Sequence, residues 1–199
     1  GRLNRRAFLA LGGVSAAGAA AAACSRDGSS TTGDIDGGAH EEMIIDFAGE
    51  HQAGIISPMQ NNLHFAAFDM DEKADRDDLI DLLTRWTDAA RRLTLGGEVS
   101  AKGAFGGGEN FPPDDSGEAY DLGPAALTIT IGFGRSLFRD QFGLTNKLPR
   151  EFTDMPPMTN DFLNRERSEG DLCVQACAND PQVATHAIRN LTRLAVPDA

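Results

Sequence analysis

The feature that most limits what this chain can fold into is a helical stripe in its first half. Leu79, Leu82, Leu83, Trp86, Ala90 and Leu93 recur at i, i+3, i+4, i+7, i+11 and i+14, which puts them on one face of an α-helix. The ends of that helix are marked as well. Asp75 stands as N-cap, Asp77 and Asp78 lie in the first turn where the helix dipole favours negative charge, and Arg91 and Arg92 lie in the last turn before Gly96-Gly97. A helix with one apolar face has to be buried against another layer. Three short runs with strand patterning supply candidates for it. Leu63 to Met70 is an apolar run bounded by turn formers and charge, Leu127-Thr128-Ile129-Thr130-Ile131 alternates apolar and hydroxyl residues, and Gly170 to Ala178 reads as a third strand. Asp180 then caps a second helix with Pro181 in its first position and Val183, Ala184, Ala187, Ile188, Leu191 and Leu194 on its apolar face.

Strand, helix, strand, strand, helix is an α+β order. It matches a ferredoxin-like βαββαβ domain whose last strand is missing, which leaves one side of the first strand open to pairing. Two long stretches interrupt the elements. Residues 96–124 are rich in Gly, Pro, Asp and Glu without periodicity and read as a functional loop or an insertion, flexible at Gly106-Gly107-Gly108, and residues 146–169 read as loop because Pro149, Pro156 and Pro157 exclude long regular elements.

Ahead of the domain (residues 48–199) come two further segments. Residues 1–23 contain Asn4-Arg5-Arg6-Ala7-Phe8-Leu9 and a mild Ala/Gly run, too short and weakly apolar for a membrane span. Arg5 and Arg6 resemble the twin-arginine export motif, so the expected location is periplasmic, cell-envelope or extracellular. Cys24 follows three alanines, a position that suits a lipidated thiol as well as ordinary cleavage. Residues 24–47 are a polar tether with too little apolar surface to fold. Net charge is −12 overall, and without the three arginines of residues 1–23 it is 15 bases against 30 acids. A body that acidic repels phosphate backbones and excludes nucleic acid as a partner.

Several segments together point to a family. Gly49-Glu50-His51-Gln52-Ala53-Gly54-Ile55, with Pro58 and Gln60, runs into Phe65-Ala66-Ala67-Phe68-Asp69. Later come Pro113-Asp114-Asp115-Ser116-Gly117, a Leu127-to-Thr130 strand followed by Gly134-Arg135-Ser136-Leu137-Phe138 and Phe142-Gly143-Leu144, and Gly170-Asp171 with Gln175 and Cys177-Ala178-Asn179. This series resembles the dye-decolorising (DyP-type) haem peroxidases, above all their exported branch, the deferrochelatase/peroxidases of bacterial ferrous-iron uptake systems.

The resemblance implies two ferredoxin-like domains in tandem and one haem b per complete protein. A proximal His would hold the iron, and a distal Asp and Arg would act on hydrogen peroxide so that bulky donors are oxidised, with release of iron from haem as a further activity. It also implies a homo-oligomer and other iron-uptake components as partners. The family's Gly-Phe-x-Asp-Gly-Thr motif is not found here. Asp27-Gly28 and Asp36-Gly37 lie in the tether and lack its flanks. The catalytic and cofactor-binding residues are therefore expected after Ala199, no metal ligand is assigned, and Gly49, His51, Gln52 and Gly54 mark the family's opening motif. The alternative is an exported or lipid-anchored ligand-binding protein with a ferredoxin-like domain and no catalysis.

Other chemistry fares worse. Cys173 and Cys177, four apart on a strand, point the same way about 13 Å apart, too far for a disulfide. Ser136 lacks the following Gly of a nucleophile elbow, and Gly106-Gly107-Gly108 lacks the Gly-Lys-Ser/Thr ending of a phosphate cradle. Of the histidines, His40 lies in the tether, His64 in the first strand, and His186 near the polar face of the second helix. His51 is the one placed to matter.

Overall fold

Three aspartates open the first helix. Asp75 Oδ1 accepts the backbone N–H groups of Asp77 and Asp78 at 2.7 and 3.1 Å, and Asp78 Oδ2 accepts the Asp75 N–H at 2.9 Å. This reciprocal box satisfies donors that a helix start leaves orphaned. In a computed structural model describing residues 43–164 and 168–196, the elements are β1 (Asn62–Phe68), α1 (Arg76–Leu93), β2 (Thr128–Phe133), β3 (Leu172–Ala178) and α2 (Pro181–Ala195). Arg5, Arg6, Cys24 and the tether up to Glu42 lie outside the described residues. β1 stops at Phe68, two residues short of the expected Met70, and β2 runs on to Phe133. Asp180 caps α2 through the N–H groups of Gln182 and Val183, with Pro181 in the first position as expected.

The sheet order is β1-β3-β2 with both pairings antiparallel. β1 and β2 are therefore parallel to each other, joined across α1 with a gap that β3 fills, which is the split βαβ arrangement. Among the described residues the outer edge of β1 has no strand partner. Both helices bury one face of the sheet. Phe68 tilts against Trp86 with ring centroids 5.2 Å apart, while Ile129, Val174 and Ala176 join Leu82, Leu93 and Leu191 in the core. Trp86 is fully buried, and its indole N–H donates to the Leu191 carbonyl at 2.9 Å, so α1 is tied to α2 by a satisfied polar contact inside the core. Among the described residues no helix is long and apolar enough to cross a membrane.

Within the irregular stretch 96–124, residues 113–118 are held along α2. Asp115, 1% exposed, accepts the Val99 N–H on Oδ2 at 2.7 Å and the Gly117 N–H on Oδ1 at 2.7 Å. The same Oδ1 is 2.7 Å from His186 Nε2. Asn190 exchanges hydrogen bonds with Ser116, Arg189 pairs with Glu118 at 2.9 Å, and Arg193 donates to the Pro113 carbonyl at 2.7 Å. Positions 186, 189, 190 and 193 form a polar stripe on α2 that binds the 113–118 segment. His186, expected near the polar face, is 4% exposed. Helix periodicity puts it on the polar side, but residues 113–118 bury His186 and Asn190 there while Arg189 and Arg193 stay exposed.

Candidate functional site: the open sheet face

The face of the sheet away from the helices is built from rows set by register. Leu63, Cys177 and Thr128 form one row, Phe65, Gln175 and Thr130 the next, and Ala67, Cys173 and Gly132 the third. Strand alternation turns these residues away from the helices, and Leu63 and Phe65 are exposed. Cys173 and Cys177 are free thiols on this face with Gln175 between them, as their spacing required. Burial pushes the Cys177 thiol up, against a hydrogen bond from Gln175 that pulls it down, so it stays protonated and packs as a small apolar group.

The loop of residues 49–60 closes the β2 side of this face. The Gln52 amide accepts the Ile131 N–H at 3.0 Å and donates to the Ile131 carbonyl at 3.3 Å, so a side chain takes the place of a neighbouring strand on the free edge of β2. Thr130 donates to the Ala53 carbonyl at 2.9 Å, and Gln60 donates to the Ala126 carbonyl and to Thr128 at 3.0 and 3.1 Å. Gly54 sits at φ +93°, and a Cβ there would drive into the Thr130 hydroxyl. Two residues of the opening motif, Gln52 and Gly54, thus serve the sheet edge. Gly49 is exposed, and so is His51, which has no hydrogen-bond partner among the described residues, so the histidine singled out from the sequence is not assembled into a site.

A cavity of about 840 Å³ lies on the β1 and β3 side, between the sheet and residues 152–163. Phe65, Phe133, Phe152, Met155 and Leu163 make much of its wall apolar, and Arg135 is its cation. The 152–163 strap is fastened at one end. Arg135 donates to the Phe152 carbonyl at 2.8 Å and meets Asp154 at 3.3 Å, and Phe152 packs edge-on against Phe138 with centroids 6.2 Å apart. Beneath it, Asp171 is buried and takes a bidentate ion pair from Arg139 at 3.0 and 2.9 Å as well as the Met70 N–H at 3.0 Å. That pair fixes the start of β3 to the turn after β2.

The chain matches the family described as Dyp-type peroxidase, N-terminal, over residues 52–198. The chain belongs to the DyP-type peroxidase family. It is 34% identical to the deferrochelatase of Escherichia coli K12 over 194 residues, 96% of this chain and 44% of that protein. The deferrochelatase of Shigella flexneri serotype 5b is 36% identical over 151 residues. Its fold is similar to that of a DyP-type peroxidase from Streptomyces coelicolor, with a TM-score of 0.70 at 37% identity over 80% of this chain and 40% of the other. The oxyferrous/water complex of DtpA from Streptomyces lividans gives 0.69 at 38% identity, covering 79% and 39%. The chain spans less than half the length of these relatives.

DyP-type peroxidases are haem proteins, and haem iron takes an axial ligand such as an imidazole. Among the described residues no imidazole lines the cavity. His64 lies on the helix side of β1, 3.3 Å from the Thr185 hydroxyl, and His186 is held by Asp115. His51 is exposed and lies outside the cavity lining.

Proposed function

We propose that this chain is the N-terminal scaffold half of a haem-dependent peroxidase. The whole protein would use hydrogen peroxide to oxidise bulky donors and also release iron from haem, with haem b as cofactor. The observation that carries this is the match to the N-terminal DyP domain along nearly all of the folded part, joined to named peroxidase and deferrochelatase relatives of about twice the length. The asymmetry of the sheet supports the scaffold role. One face is covered by two helices, while the other presents Leu63, Phe65 and a largely apolar cavity, a surface suited to packing against a second domain. The chain's share of the work is then to hold that surface in shape, through the Gln52 edge cap and the Arg139–Asp171 pair.

The test uses the full gene product, titrated with haem and followed by its Soret band and by peroxide-dependent oxidation of a bulky dye. Uptake of one haem with dye turnover is expected, and His51→Ala is expected to leave both unchanged. A folded His51→Ala protein that no longer takes up haem would contradict the scaffold role. Failure of the unaltered protein to bind haem would favour the non-catalytic binding protein.

Export completes the proposal. The Arg5-Arg6 pair supports passage by the twin-arginine route to the periplasm or cell envelope, Cys24 supports a lipid anchor, and components of a ferrous-iron uptake system and further copies of the chain are the proposed partners. Loss of export in an Arg5→Lys/Arg6→Lys variant, and release from membranes in Cys24→Ser, are the expected results.

A further inference from the structure

The cavity on the open sheet face gathers sulfur. Cys173 lines it as a free thiol, and two of the five methionines, Met155 and Met158, line it from the strap. The register leaves the thiol room. Its row neighbours are Ala67 and Gly132, and a Cβ on Gly132 would come within 2.6 Å of Cys173 Sγ, so the missing side chain at 132 keeps the sulfur clear on that side. Cys177, between Leu63 and Thr128, is buried and lies outside the cavity lining. The strap brings its two thioethers to one side. Met155 and Pro156 each precede a proline, which biases both toward extended backbone. Three residues make one turn of a polyproline II run, so positions 155 and 158 lie on the same side, about 9 Å apart. Met155 and Met158 are 77 and 61% exposed, so their side chains are largely free of packing, and three rotatable bonds in each let both swing to a common point.

We propose that Cys173, Met155 and Met158 form a binding site for copper(I). Thiolate and thioether are soft ligands that select this ion. On binding, a Cu–S bond replaces the S–H bond of Cys173, and the proton leaves to water. The charges of the ion and the thiolate then cancel and the thioethers add none, so the complex is neutral beside the apolar wall of Phe65, Phe133 and Leu163. A divalent ion on the same three sulfurs would keep a net positive charge there. The carboxylates of Asp154, Asp161 and Glu169 also line the cavity, but they are hard donors, and among the described residues no group of three or more His, Cys, Asp and Glu is placed to hold an ion. One ion fills a small part of the cavity, so the site is compatible with a second domain packed on the rest of the face. The proposal does not depend on the peroxidase reading.

The experiment equilibrates the full protein anaerobically with copper(I) and graded concentrations of the chelator bathocuproine disulfonate, then measures copper retained per chain by elemental analysis after gel filtration. Cys173→Ser and Met155→Leu/Met158→Leu are each expected to weaken retention at least about tenfold. Met59→Leu and Cys177→Ala, whose sulfurs lie outside the cavity lining, are expected to leave it unchanged. Copper K-edge absorption should show sulfur neighbours that decrease in number in both cavity variants. Retention unchanged in Cys173→Ser or in the double methionine variant would overturn the proposal. So would an equal loss in Met59→Leu, or zinc(II) held as firmly as copper(I) and lost in the same variants. The methionine pair lies on the exposed strap, so that arm decides the matter even if Cys173→Ser does not fold. Binding is read as copper, not as haem uptake or dye turnover, and the two proposals fail separately.

Discussion

Residues 96–124 and 148–170 are both long, irregular and rich in turn formers, yet the fold treats them differently. The first is bound to α2 through residues 113–118 and carries a buried carboxylate, Asp115, among them. The second is exposed from Pro149 through Asn164, and Arg135 pairs there with a carboxylate that is itself 84% exposed. Buried irregular backbone is tolerated only where its polar groups find partners. Asp115 meets that demand for the first loop by accepting from Val99, Gly117 and His186 together. Among its described residues the strap has no such buried centre, and it lies on the surface, where water can satisfy its backbone. An irregular segment is thus made a fixed part of the domain by one well-partnered buried group.

Removing that group should break the contrast. Asp115→Ala leaves two backbone donors and an imidazole without their acceptor, and is expected to lower unfolding free energy by about 3–5 kcal/mol in urea denaturation. His186→Ala should cost less, about 1.5–3 kcal/mol, because Asp115 keeps its two backbone partners. The two changes in one double-mutant cycle should be non-additive by about 0.5–3 kcal/mol.

Acid should erase the difference as well. Burial raises the Asp115 carboxyl, but the hydrogen bonds from Val99 and His186, with that from Gly117, outweigh it and hold the group below its ordinary 3.8. A carboxyl depressed in the folded state stabilises the protein above its unfolded pKa, and that stability is lost as pH falls through the folded value. Glu118, also subject to burial but lowered on balance by Ser116 and Arg189 from an ordinary 4.5, acts in the same direction. The urea midpoint should therefore drop below about pH 4, and Asp115→Asn should flatten part of that drop.

Limited proteolysis sharpens the comparison without any substitution. Trypsin should cut after Arg150 in the strap well before Lys102 in the first loop, since the 102–103 backbone is tied to Ser100 and the Gly103 carbonyl accepts the Asp115 N–H at 3.3 Å. Asp115→Ala should bring the Lys102 cut forward. The smallest effect belongs to Asp154→Asn, whose exposed pair with Arg135 should change stability by less than about 0.5 kcal/mol.

The sequence by itself determined the local frame: the ends of α1 and α2, the three strands and the family. These rest on signals within a few residues of each other, such as Asp75 with Asp77 and Asp78, or Asp180 with Pro181. The opening motif was legible as a family mark, but its purpose was not. Gln52 caps a strand edge 79 residues away, and only the sheet order makes β2 an edge. The burial of His186 was hidden for the same reason, because the carboxylate that holds it lies 71 residues away in a segment without periodicity. Tertiary structure decided which face of α2 is covered, which face of the sheet is open and which long loop is fixed. Those outcomes depend on partners distant in the chain, and hydrophobic periodicity reports only that a face can be buried, not what will bury it.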